Sequence, residues 1–141
     1  MKYDLSRFVE AQASDYPNAL REIQKGRKKS HWMWFVFPQL RGLGHSSTAQ
    51  YYGLSGLEEA RQYLEHLLLG PRLLEITGAA LRHPDNTPLH IFGHPDNLKF
   101  HSSITLFAQP EGAPGIFKEA LNVFFKGIPD EATLRLLAKG E

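Results

Sequence analysis

Three stretches of this chain bring together residue types that do chemistry. The first runs from Lys25 to Gln39, where a block of cations meets the chain's two tryptophans and then a Pro-Gln turn. A packed core uses aromatic rings but has no use for cations beside them. A site for an anionic aromatic ligand, such as a nucleotide, uses both. Arginine forks onto phosphate oxygens and tryptophan stacks on bases. Arg27 and Lys28 are therefore candidate phosphate ligands, Trp32 or Trp34 a candidate base platform, and Ser30 and Gln39 candidate hydrogen-bonding groups. The simpler reading is a set of cations complementing the end of a helix beside the core. At strand spacing Trp32 and Trp34 share one face, with Met33, Phe35 and Phe37 on the other. One of the two tryptophans is expected in the core.

The second stretch is Gln39 to Ser47, holding Gly42, Gly44, Ser46 and Ser47. Glycines followed by hydroxyls can present backbone N–H groups to an anion, which makes Gly44, Ser46 and the following Tyr52 candidates. The pattern matches neither a Walker loop nor a dinucleotide fingerprint, so a plain turn with Ser46 as a helix cap is the stronger expectation. The third stretch is His94 to Phe107. On a helix Asp96, Lys99 and Ser103 form one polar stripe at i, i+3 and i+7, with Ser102 beside it. Either Asp96 caps the helix and pairs with Lys99 at the surface, or the stripe faces inward as a pocket wall. His90 and His94 have a ligand spacing, but Gly93 and Pro95 interrupt any helix that would align them. No metal site and no cofactor are expected.

The elements that must position these groups read as helices nearly throughout. Asp4 or Ser6 caps a helix with Phe8, Val9 and Gln12, and Asp15 caps a second with Leu20 and Ile23, ended by Gly26. Residues 31–37 predict a short buried helix or an extended segment, because no second strand exists to pair with them. Ser55 caps a helix with Leu57, Ala60, Leu64 and Leu67 inward, which Gly70-Pro71 breaks. Further helices carry Leu73, Ile76 and Ala80, then Leu89 to Phe92 after a Thr87-Pro88 cap. Others run from Pro95-Asp96 through Phe107, from Pro114 with Phe117, Ala120, Leu121 and Phe124, and from Asp130 with Leu134 and Leu137. The expectation is an all-α fold, a compact bundle of about seven short helices forming one domain over residues 1–141.

Composition supports an ordinary soluble domain, with 42% hydrophobic residues and a net charge of +1. Anion binding must then come from a local patch rather than from the whole molecule. The chain has no cysteine, which excludes disulfides and thiol catalysis and fits a reducing compartment. Met1 to Leu5 lack an apolar signal core, and no apolar run nears the roughly 18–20 residues that span a bilayer. A cytoplasmic location with no membrane partner is expected.

The blocks Gly26-Arg27-Lys28, Ser30 through Gly44, Glu59 through Leu64, and Ile91 through Phe107 together resemble the signature of a bacterial family of unknown function that carries a mistaken "calpastatin" tag. The resemblance spans nearly the whole chain. The helical layout, the tryptophan-bearing segment and the pair Lys99-Phe100 are more distantly similar to the NADAR group, NAD- and ADP-ribose-associated domains whose members resemble N-glycosidases. That resemblance implies a hydrolase cleaving an N-glycosidic bond in a nucleotide or ADP-ribose-type ligand. A carboxylate would stabilise the positive charge left on ribose. Asp96 is the first choice for it and Glu10 the second, with Lys99 tuning the acid or assisting the leaving group. The alternatives are a non-catalytic nucleotide- or phosphate-binding module on the same patch, and a protein-interaction domain. A small nucleotide-like ligand is favoured over nucleic acid as partner.

Overall fold

Helix α1 shows how the sequence organises this fold. It runs unbroken from Ser6–Gln24 although Pro17 lies inside it. Two helices were expected here, divided near Asp15. Phe8, Gln12, Tyr16, Ala19 and Ile23 instead form one continuous buried stripe, and burying it outweighs the proline's lost hydrogen bond. His83 closes the helix from outside, its Nε2 lying 3.0 Å from the carbonyl oxygens of both Ile23 and Gln24. Gly26 follows at φ +82°, a left-handed turn where a β-carbon would also press on the His83 ring.

The computed structural model describes residues 3–140, and among them the fold is all helical. The elements after α1 are α2 (Met33–Val36), α3 (Ser47–Tyr52), α4 (Leu57–Glu65), α5 (Leu69–Leu81), α6 (Pro88–Phe92), α7 (Asp96–Phe107), α8 (Ile116–Phe125) and α9 (Glu131–Gly140). The nine helices of the described residues exceed the expected number of about seven. Within residues 31–37, Met33–Val36 form the short helix α2, and the glycine loop leads into α3, whose N-cap Ser46 accepts from Ala49 N–H at 3.1 Å. Ser55 does not cap α4 through its side chain. Its N–H, one residue before the N-cap Gly56, donates to Glu59 Oε1 at 2.8 Å. Gly70-Pro71 lies within the first turn of α5, and a β-carbon on Gly70 would meet Leu64 O at 2.1 Å.

Helix α7 is the axle of the bundle. It packs against α2, α4, α6, α8 and α9, while α1 packs on α2 and α5. Nearly all of its last two turns is buried, from Phe100 and Ser102 through Phe107. Phe37, Phe92 and Phe100 interlock at its first turns, with Phe92 and Phe100 stacked at 4.4 Å. One parallel bridge, Leu40 with Leu54, ties the glycine loop to the start of α4. Two of the three predicted chemical stretches, 25–39 and 94–107, thereby meet where α2 lies against α7.

Candidate functional site

The loop after α1 alternates its side chains between two environments. Lys28 turns inward, its side chain 7% exposed, and its Nζ lies 2.8 Å from Asp96 Oδ2. Arg27 and Lys29 turn outward. The backbone holds this alternation, with Arg27 N–H on Glu22 O at 3.1 Å and Lys28 N–H on Ile91 O at 2.7 Å. Arg27 and Lys28 therefore do not converge on one phosphate.

Glu22 anchors the same loop. Its carboxylate accepts from Lys29 N–H at 2.8 Å, Ser30 N–H at 3.1 Å, the Trp32 indole N–H at 2.8 Å and Asn18 Nδ2 at 2.9 Å, and also from the Ser30 hydroxyl. Burial pushes its pKa up. The bonds from the Ser30 hydroxyl, Lys29 N–H, the Trp32 indole and Ser30 N–H outweigh that and pull it down to about 2. A carboxyl depressed in the folded state stabilises the fold above its ordinary value of 4.5 and loses that contribution as pH falls toward 2. The urea midpoint should drop across this window in the wild type. Glu22→Gln should start lower at neutral pH and drop less; parallel curves would remove Glu22 from acid unfolding.

Trp32 is 1% exposed, with the Lys28 ammonium 5.1 Å from its ring centre. It is the core tryptophan and offers no face to a base. Trp34 is only half-buried, and Lys99 Nζ lies 5.5 Å from its ring centre. Lys99 also reaches Asp96 Oδ1 at 3.4 Å. Asp96 thus sits between two ammonium groups, 19% exposed.

Lys99 belongs to the wall of a cleft of about 260 Å³, which is also lined by Gln39, Leu43, Gly44, Pro95, Leu98, Ser102, Asp130 and Ala132. Gln39, Gly44, Lys99 and Ser102 were singled out from sequence, and the fold brings these four together. Gly44 is a glycine because a β-carbon there would meet the Ala49 methyl at 2.7 Å. The other candidates lie elsewhere. Ser103 is fully buried with its hydroxyl unpartnered, and Ser30 is held by Glu22. Ser46 caps α3, Tyr52 packs on Phe8 and Phe35, and Glu10 is exposed on α1. Asp96 stands one turn before Lys99 but outside the lining.

The acid that does line the cleft is Asp130, which the sequence marks only as a helix cap. Its Oδ2 accepts from Thr133 N–H at 3.1 Å and the Thr133 hydroxyl at 2.6 Å, and lies 3.0 Å from Ser102 Oγ. Its own N–H donates to Thr105 Oγ1 at 2.9 Å. Oδ1 receives no hydrogen bond from the described residues. Among those residues no three His, Asp or Glu side chains gather as a metal-binding set, and no helix is long and apolar enough to cross a membrane.

The sequence model of the family described as "Protein of unknown function (DUF1810)" matches residues 2–137. The chain belongs to the DUF1810 family. A solved structure, the crystal structure of the conserved hypothetical protein Rv1873 from Mycobacterium tuberculosis, is 51% identical, with a TM-score of 0.95. The match covers 98% of this chain and 99% of that one. No curated protein matches the chain. The DUF1810 match takes in all four blocks of the expected family signature, including both walls of the cleft.

Proposed function

We propose that the cleft between the glycine loop and α7 binds one phosphorylated sugar or mononucleotide unit. The observation that carries this reading is the position of Lys99. Its ammonium lies over the half-buried face of Trp34, at a cleft where the Gln39 amide, the Ser102 hydroxyl and the Gly44 backbone converge. A cation for phosphate and an amide to fix orientation are parts that a nucleotide site needs, and Trp34, outside the cleft lining, adjoins them through Lys99. Size limits the ligand. Drug-sized ligands occupy roughly 300 Å³ or more, so a cleft of about 260 Å³ takes a mononucleotide or ribose phosphate but not a whole dinucleotide. An NAD or ADP-ribose ligand would place one half here and leave the other outside.

Hydrolysis of an N-glycosidic bond is the second reading, favoured by Asp130 alone. Its Oδ1 is the one carboxylate oxygen lining the cleft that receives no hydrogen bond from the described residues, while Thr133 fixes the group through Oδ2. A carboxylate so placed can offset the charge that grows on ribose as a base departs. Asp96, engaged by Lys28 and Lys99, is less suited to that work.

Melting temperature tests the binding reading against ribose 5-phosphate, nucleoside monophosphates, ADP-ribose and NAD. A ligand at about a hundred times its dissociation constant adds about 2.7 kcal/mol of stability. The expected result is a shift with at least one ribose phosphate, abolished in Lys99→Ala and reduced in Gln39→Ala. A panel that leaves the melting temperature unmoved at millimolar ligand contradicts it. Release of free base from the same ligands, lost in Asp130→Asn while binding persists, would establish hydrolysis.

A further inference from the structure

The ligand cleft accounts for Lys99 and Gln39 but leaves four cations at the end of α1 without a task. Arg21, Lys25, Arg27 and Lys29 line a second cleft of about 380 Å³, with Asn18 and Glu22. All four are exposed, and none forms an ion pair among the described residues. Glu22, the single acid present, is saturated by donors from its own loop and from Trp32. The chain as a whole is close to neutral at +1, so this concentration of cations is local.

Helix-dipole compensation explains only part of the arrangement. Arg21 and Lys25 lie in the last turn of α1 and at its cap, where cations are favoured. Arg27 and Lys29 lie beyond the Gly26 turn, on a segment fixed by Glu22 through its backbone carbonyl and its carboxylate. Four unpaired like charges repel one another, which destabilises the protein alone and favours it with an anion bound.

We propose that this cleft is a separate site for a compact run of linked phosphates, either free or carried by a nucleoside. The shape of the patch selects that class over a nucleic-acid strand. Strand-binding surfaces pair a basic groove with exposed aromatic platforms. Among the described residues no aromatic ring lines this cleft; Trp32, whose indole N–H reaches Glu22, is sealed in the core. The cations surround one concave pocket rather than tracking along a surface.

Calorimetric titration of inorganic tripolyphosphate into the full chain at low salt tests the site. Expected is saturable binding that weakens as salt rises, with affinity at least about tenfold lower in Arg27→Ala/Lys29→Ala, since each loses a charge-assisted hydrogen bond. Without ligand the double variant should melt no lower than the wild type, because neither side chain has a partner among the described residues and two repelling charges are gone. Lys99→Ala should bind tripolyphosphate normally, which separates this site from the cleft beside α7. A nucleoside triphosphate binding more tightly than tripolyphosphate through the same residues would assign the carried form, and the reverse order the free one. No binding, equal binding by the double variant, or a single-stranded oligonucleotide binding more tightly than either probe would overturn the proposal.

Discussion

Trp32→Ala is expected to lower stability by about 3–5 kcal/mol in urea denaturation, the range for truncating a buried aromatic. The indole is 1% exposed and packs on Phe37. Removing it opens a cavity under α2 and also takes one of the donors from Glu22. The Lys28 ammonium loses the ring it lies above. Trp32→Phe keeps most of the packing and removes the donor, so it should fall between. Trp34→Ala should cost less, because its ring is only half-buried. Equal losses from the two alanine variants would contradict the assignment of Trp32 to the core.

Glu59→Ala is expected to have an effect of similar size through electrostatics. Arg7 and Glu59 form an ion pair at 3.2 Å, with side chains 15% and 4% exposed. Removing one member of a buried pair costs about 3–5 kcal/mol, because the other charge is left uncompensated. Arg7 also donates to the carbonyls of Asp4, Tyr51 and Gly53. It thereby clips the end of α3 to the start of α1, and Arg41 reaches the same Gly53 carbonyl from the other side. Glu59→Gln retains an acceptor for Ser55 N–H and should lose less than alanine. A midpoint unchanged in Glu59→Ala would show the pair to be dispensable.

These two positions differ in how readily the sequence shows their roles. The spacing of Trp32 and Trp34 implied that one is core, yet which one depends on Glu22, ten residues upstream and on another element. Helices with strong stripes and local caps were legible: Thr87 accepts from His90 N–H at 3.1 Å as its sequence suggests, and Asp130 opens α9. Helix α1 divides into two in the sequence reading because Asp15 is a capping residue type, yet the buried stripe runs on from Gln12 through Tyr16. Gln12 is satisfied by Phe35 O at 2.7 Å and the Tyr63 hydroxyl at 3.0 Å, partners that no local pattern announces.

The candidate site divides in the same way. The stripe of Asp96 and Lys99 was visible from helical spacing, and so was the pairing between them. That Lys28 would reach Asp96 from a loop almost 70 residues away was not, since ion pairing across elements leaves no periodic trace. Asp130 was visible as a cap but not as a cleft wall, because that role exists only once α9 folds back along α7. Ser102 and Ser103 are neighbours in sequence, but the helix turns one toward the cleft and the other into the core.

The most direct test of the cleft beside Trp34 is a fluorescence titration with the ribose phosphate that most raises the melting temperature. Trp34 lies beneath Lys99 while Trp32 is sealed from solvent. The account predicts saturable quenching in the wild type and in Trp32→Phe, and none in Trp34→Phe. Quenching that survives Trp34→Phe and disappears in Trp32→Phe would place the ligand away from this cleft and contradict the account.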